Sequence, residues 1–140
     1  MTPGGLRHRV GHRGAALLFF GLLDLVYGSV LITSTPPPGS TLGYIGANWP
    51  PLPAWGWVWI GVGLVCTVHA FLRRDTWGFV AAMAIKFAWA SAYVGALLDG
   101  ANVWALAGAS IWVMAIGLVA NVATWPEPIR LEDDGGRVDS

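Results

Sequence analysis

Charged side chains are scarce. Only 11% of the 140 residues are Asp, Glu, Lys or Arg, against about 25% in a soluble globular domain. So few charges cannot coat a water-facing surface, which argues against a soluble enzyme and a disordered chain. The formal net charge is 0, so the basic surplus of a nucleic-acid binder is missing as well. Cysteine is nearly absent. Cys66 stands alone, which excludes an intramolecular disulfide or a cysteine metal cluster. It lies in an apolar run and reads as a small buried hydrophobe, since a thiol in such surroundings resists ionisation. H-E-x-x-H, G-x-S-x-G, P-loop and dinucleotide fingerprints are all missing. No catalytic residue, metal site or cofactor is therefore expected. His8 and His12 stand four apart but lack a third ligand. His69, one turn before Arg73, reads as an ordinary interfacial histidine.

What the chain has instead is apolar length. Hydrophobic residues make up 55% of it, and four runs approach the ~20 residues that a membrane-crossing helix needs. They cover 15–33, 55–72, 77–98 and 103–125, without the period-2 alternation of a barrel strand. No proline interrupts any run. Prolines cluster at 36–38, at 50, 51 and 53, and at 126 and 128, where helices should stop or start. The expected fold is all-α, a four-helix transmembrane bundle running up-down-up-down.

The arginines set an orientation. Arg7, Arg9 and Arg13 precede the first run, Arg73 and Arg74 link the second and third, and Arg130 and Arg137 follow the fourth. The segment 34–54 carries no charge, and the link at 99–102 carries no base. By the positive-inside rule both termini are expected in the cytoplasm of a bacterial inner (plasma) membrane. A basic tail at 1–13 and an acidic, solvated tail at 127–140 would flank one membrane domain. The first run is longer than a signal-peptide core and holds an Asp, so it reads as an uncleaved signal anchor. Eight of the nine tryptophans can be placed in this frame. Trp49, Trp55, Trp57 and Trp104 fall near the outer interface, Trp77 and Trp125 near the inner one. Trp89 and Trp112 fall at mid-membrane and need packing or an N–H acceptor. The Pro- and Gly-rich segment 34–54 reads as a linker on the outer leaflet, or as a lid or partner-binding segment.

Two ionisable groups stand inside the runs. Asp24 and Lys86 each lie nine residues from the start of a run that crosses in the same direction. At ~1.5 Å per residue both sit roughly 13–14 Å above the inner end. An ionised group at mid-bilayer costs about 2.5–3.5 kcal/mol on insertion scales, so an Asp24–Lys86 ion pair is the economical solution. Gly21, Asp24 and Gly28 share one helix face, as do Ala82, Lys86 and Ala90, and small residues permit close approach. Tyr27, Trp89, Ser91 and Tyr93 are candidate polar neighbours. A structural pair, a proton or ion relay, and charges facing a partner subunit all fit this pattern. On the fourth run Ser110, Gly117 and Asn121 share a face with Met114 between them. That face reads as a helix–helix contact or, more sharply, as a pore lining. Gly21, Gly28, Gly61, Gly63, Gly108 and Gly117 are expected at helix contacts.

The sequence 24-DLVYGS-29 lines up with 86-KFAWAS-91, and 60-IGVGLVC-66 with 114-MAIGLVA-120. This suggests two related hairpins in parallel, against the chance similarity of apolar sequence. The stretch 73-RRDTWGF-79, with Trp125-Pro126-Glu127-Pro128 closing the last run, resembles small multi-span membrane proteins of actinobacteriophages and actinobacteria. That resemblance implies a membrane-located, non-enzymatic role, with holin-like permeabilisation among its members.

Three functions follow as expectations. The first is a structural or accessory membrane protein acting through helix–helix contacts. The second is a holin-like oligomer that opens the membrane in phage lysis. The third is a small transporter or channel using Asp24 and Lys86. The expected partners are the lipid bilayer, with further copies of the chain or other membrane proteins, and no nucleic acid.

Overall fold

A computed structural model describes residues 11–72 and 74–126. The expectations for the tails and for Arg73 lie outside the described residues, apart from 11–13. All regular structure among them is helical: α1 (His12–Thr33), α2 (Thr41–Asn48), α3 (Leu52–His69), α4 (Thr76–Leu98) and α5 (Trp104–Ala123). Four of these, all but α2, are long and apolar enough to cross a membrane.

The helix ends follow local chemistry. α3 starts at Leu52, three residues before the expected Trp55. Pro53 lies in its first turn, where a missing N–H costs nothing. It stops at His69, three residues short of the expected Leu72. The short α2 was not expected as a helix. Ser40 caps it by accepting from the Gly43 N–H at 3.1 Å, and Pro50 and Pro51 follow its end. Asp75 precedes α4 but does not cap it; its carboxylate instead accepts from Arg13 at 2.8 Å. Gly100 takes φ +73 in the turn after α4, a conformation that side chains resist.

α1 and α3 meet backbone to backbone. Gly28 faces Gly56, and Gly21 faces Gly63. A Cβ on any of these four would meet the carbonyl oxygen of its opposite number at 2.6–2.9 Å. Each helix therefore carries two glycines seven residues apart, and the pairs match only if the helices run antiparallel. Small residues let helix backbones meet without a side chain between them. Of the other glycines expected at contacts, Gly108 packs on the Tyr93 ring, whereas Gly61 and Gly117 meet nothing within 4 Å.

Relations between α1 and α4 repeat at a constant spacing. Arg13 pairs with Asp75, Asp24 with Lys86 and Tyr27 with Trp89, each 62 residues apart. The two helices therefore run parallel. This is also the offset at which 24-DLVYGS-29 aligns with 86-KFAWAS-91, whereas 60-IGVGLVC-66 and 114-MAIGLVA-120 are 54 residues apart.

Two apolar clusters fill the interior. One joins Leu17 and Phe20 of α1, Cys66 of α3, Phe79 and Ala82 of α4, and Val119 and Val122 of α5. The other joins Leu31, Trp59, Ile85, Trp89 and Ala105, and buries Ile45 of α2. The layer holding Asp24 and Lys86 lies between them.

Candidate functional site

Lys86 Nζ donates to Asp24 Oδ1 at 2.7 Å. Asp24 is 1% exposed and Lys86 4%. Each helix supplies its charge from a face of small residues, with Gly21 and Gly28 around Asp24 and Ala82 and Ala90 around Lys86, all buried. Opposite charges in contact spare each other most of the cost of a lone ion in hydrocarbon. Two rings complete the surroundings of the ammonium. Its Nζ lies 5.3 Å from the Trp59 centroid and 5.9 Å from that of Phe20, within the ~6 Å reach of a cation–π contact.

Of the polar neighbours expected from sequence, Tyr27 and Trp89 meet each other. The Trp89 indole N–H donates to the Tyr27 hydroxyl at 2.8 Å, which supplies the acceptor that a mid-span tryptophan needs. Tyr93 packs edge-on against Trp89. Tyr27 also packs on Trp59 and Trp112 with centroids 4.8 and 5.2 Å away. Trp55 continues the cluster from Trp89 toward the α2 end, where it meets Trp49. Such edge-to-face pairs add about 0.5–1.5 kcal/mol each beyond their burial.

Ser91 is a correction. It is exposed, and its hydroxyl donates to the Phe87 carbonyl one turn back. Ser29, its counterpart in the repeat, does the same to Leu25. A serine in an apolar helix satisfies itself this way and has no need of the charged layer.

The face of Ser110 and Asn121 is a second correction. Both are exposed, Met114 between them is 75% exposed, and Gly117 touches nothing. Among the described residues this face contacts no other helix and lines no pore. α5 packs through its opposite side, with Ala105, Ala109, Val119 and Val122 buried. Ser110 donates to the Leu106 carbonyl, and Asn121 accepts from the Trp125 indole at 3.1 Å.

Several contacts have no counterpart in the expectations from sequence. Trp59 and Phe20 around Lys86 are two of them, because only the fold brings α3 and the start of α1 to that depth. Arg13 holds Asp75 and also lies over the Phe79 ring at 5.2 Å, tying the start of α1 to the start of α4. At the other end the Tyr44 hydroxyl donates to Asp99 Oδ2 at 2.8 Å. This fastens α2 to the α4–α5 turn, and the carboxylate beside it raises the Tyr44 phenol above its ordinary pKa. The one available signal was that Asp75 and Asp99 are the only acids in the two short links. Cys66 is buried, with its thiol directed at the Gly78 carbonyl, and the His69 ring bonds the Arg74 carbonyl. Among the described residues no three His, Cys, Asp or Glu side chains converge as a metal site would require.

Comparison with protein-family models, curated proteins and solved structures finds no match to this chain. What the four long apolar helices support is a multi-pass membrane protein.

Proposed function

We propose that this chain is a structural or accessory protein of a bacterial plasma membrane, non-enzymatic, acting through helix–helix contacts in the bilayer. Both termini face the cytoplasm and α2 lies on the outer side. The observation that carries this reading is the closure of the charged layer. Asp24 and Lys86 are buried against each other, and four-helix apolar contacts lie toward one end, with the aromatic cluster toward the other. A conducting path would expose its charges to water along the axis. A register-fixing pair needs only the contact that is present. The arginine distribution supports the orientation, and the surface through which the chain meets other membrane proteins is the lipid-facing side of its spans.

Two experiments test the proposal. Reporter fusions after Gly46 and after Ser140 should be active only as an exported reporter and only as a cytoplasmic reporter, respectively. Purified chain in dye-loaded liposomes should cause neither dye release nor proton flux. Dye release would replace this reading with the holin-like one. Proton flux abolished by Asp24→Asn would replace it with a transporter.

A further inference from the structure

The carboxylate that accepts from the Lys86 ammonium and the two rings within cation–π reach of it all belong to the α1–α3 hairpin. Asp24 and Phe20 come from α1 and Trp59 from α3; only the cation comes from elsewhere, on α4. The hairpin is held where these groups sit. Gly21 and Gly28 flank Asp24 at three and four residues, and Gly56 and Gly63 flank Trp59 at the same spacings. The paired glycines bring the backbones together on either side of the layer. The carboxylate also keeps unused acceptor capacity, since Asp24 Oδ2 is buried and has no hydrogen-bond partner.

We propose that the α1–α3 hairpin forms a preorganised primary-ammonium site in mid-span, which the chain fills with its own Lys86. Its ligand class is a slim alkylammonium ion. The carboxylate requires an N–H donor at hydrogen-bond distance, and the two ring faces attract the positive charge. A quaternary ammonium carries no N–H and is excluded. The site is independent of whether the whole chain serves as an accessory protein.

The test vacates the site and refills it. Lys86→Ala removes three methylene groups and the ammonium, the atoms of n-propylammonium. Full-length Lys86→Ala in detergent should melt lower than the native chain. Added n-propylammonium should recover at least half of that loss in a saturable manner, and methylammonium less. Tetramethylammonium should recover none. The native chain, and Lys86→Ala combined with Asp24→Asn, should not respond to n-propylammonium. If Lys86→Ala does not fold alone, the readout becomes folded yield when the amine is present throughout purification. No gain in melting temperature or yield overturns the proposal, and so does an equal gain in the Asp24→Asn combination. In the native chain the Lys86 ε-methylene protons should show an upfield ring-current shift that shrinks in Trp59→Leu. An unshifted resonance in the native chain also overturns it.

Discussion

Replacing Gly28 by alanine places a methyl group 2.6 Å from the Gly56 carbonyl oxygen and 3.0 Å from the Ile60 backbone nitrogen. Ordinary contact begins near 3.4 Å, so α1 and α3 must separate locally by about 0.8 Å. A rotamer change could relieve only the contact with Ile60 Cγ1 at 2.9 Å, because the other two obstructing atoms are backbone. Overpacking of a close contact costs about 1–3 kcal/mol, and the rigid obstruction puts Gly28→Ala near the upper end. Alanine returns up to ~1 kcal/mol through its better helix propensity. The expected net loss is therefore about 2 kcal/mol. Gly61→Ala is the internal control: it lies on the same α3 helix, and a Cβ there meets nothing within 4 Å. It should be neutral or slightly stabilising. Gly28→Ala combined with Gly56→Ala should cost less than the sum of the two single changes, because one separation accommodates both methyl groups. The assay is reversible unfolding in mixed micelles, following tryptophan fluorescence as denaturing detergent is added. Equal stability of Gly28→Ala and Gly61→Ala would refute the assignment of this interface.

Removing one member of the charged pair should destabilise the chain by an amount between two limits. These are the ~0.6 kcal/mol average of intramembrane polar contacts and the ~3–5 kcal/mol of a broken buried pair. Asp24→Asn with Lys86→Met should recover much of the loss in the same unfolding assay; no recovery would argue against a purely structural pair. Tyr27→Phe strips the Trp89 N–H of its acceptor and should cost about 1–3 kcal/mol, whereas Ser91→Ala, which touches only its own helix, should cost less than Tyr27→Phe. At the α2 end, Tyr44 should ionise above its ordinary value of 10.0, and Asp99→Asn should bring that ionisation down. The sign follows from linkage. A phenol raised in the folded state contributes its stability below the unfolded pKa and loses it as pH rises through the folded one. Tyr44 should therefore add no pH dependence near neutrality. An ultraviolet difference titration against Tyr44→Phe reads this, and an unchanged Tyr44 ionisation in Asp99→Asn would refute it.

Length and hydrophobicity are local properties, and the sequence by itself determined what depends on them. The four long helices fall where the apolar runs lie, because ~20 apolar residues in lipid must satisfy their backbone internally. The common depth of Asp24 and Lys86 was legible for the same reason: rise per residue converts sequence position into height. The inward faces of α1 and α4 were legible through Asp24, Lys86 and the small residues beside them, but the inward face of α5 was not. In water a helix declares its buried side by polarity, but in a bilayer the lipid-facing and core-facing sides are both apolar, and the periodic signal fades. This is why Ser110 and Asn121 lie on the outside of α5, and Ser91 away from the charged layer. The glycines at 21, 28, 56 and 63 each sat in plain view at a spacing of seven. Only the antiparallel packing of α1 on α3 made them two facing pairs. Docking of α4 on that helix pair brought the Lys86 ammonium to Phe20 and Trp59, since residues far apart in sequence share a layer only after helix rotation and register are set by close contact.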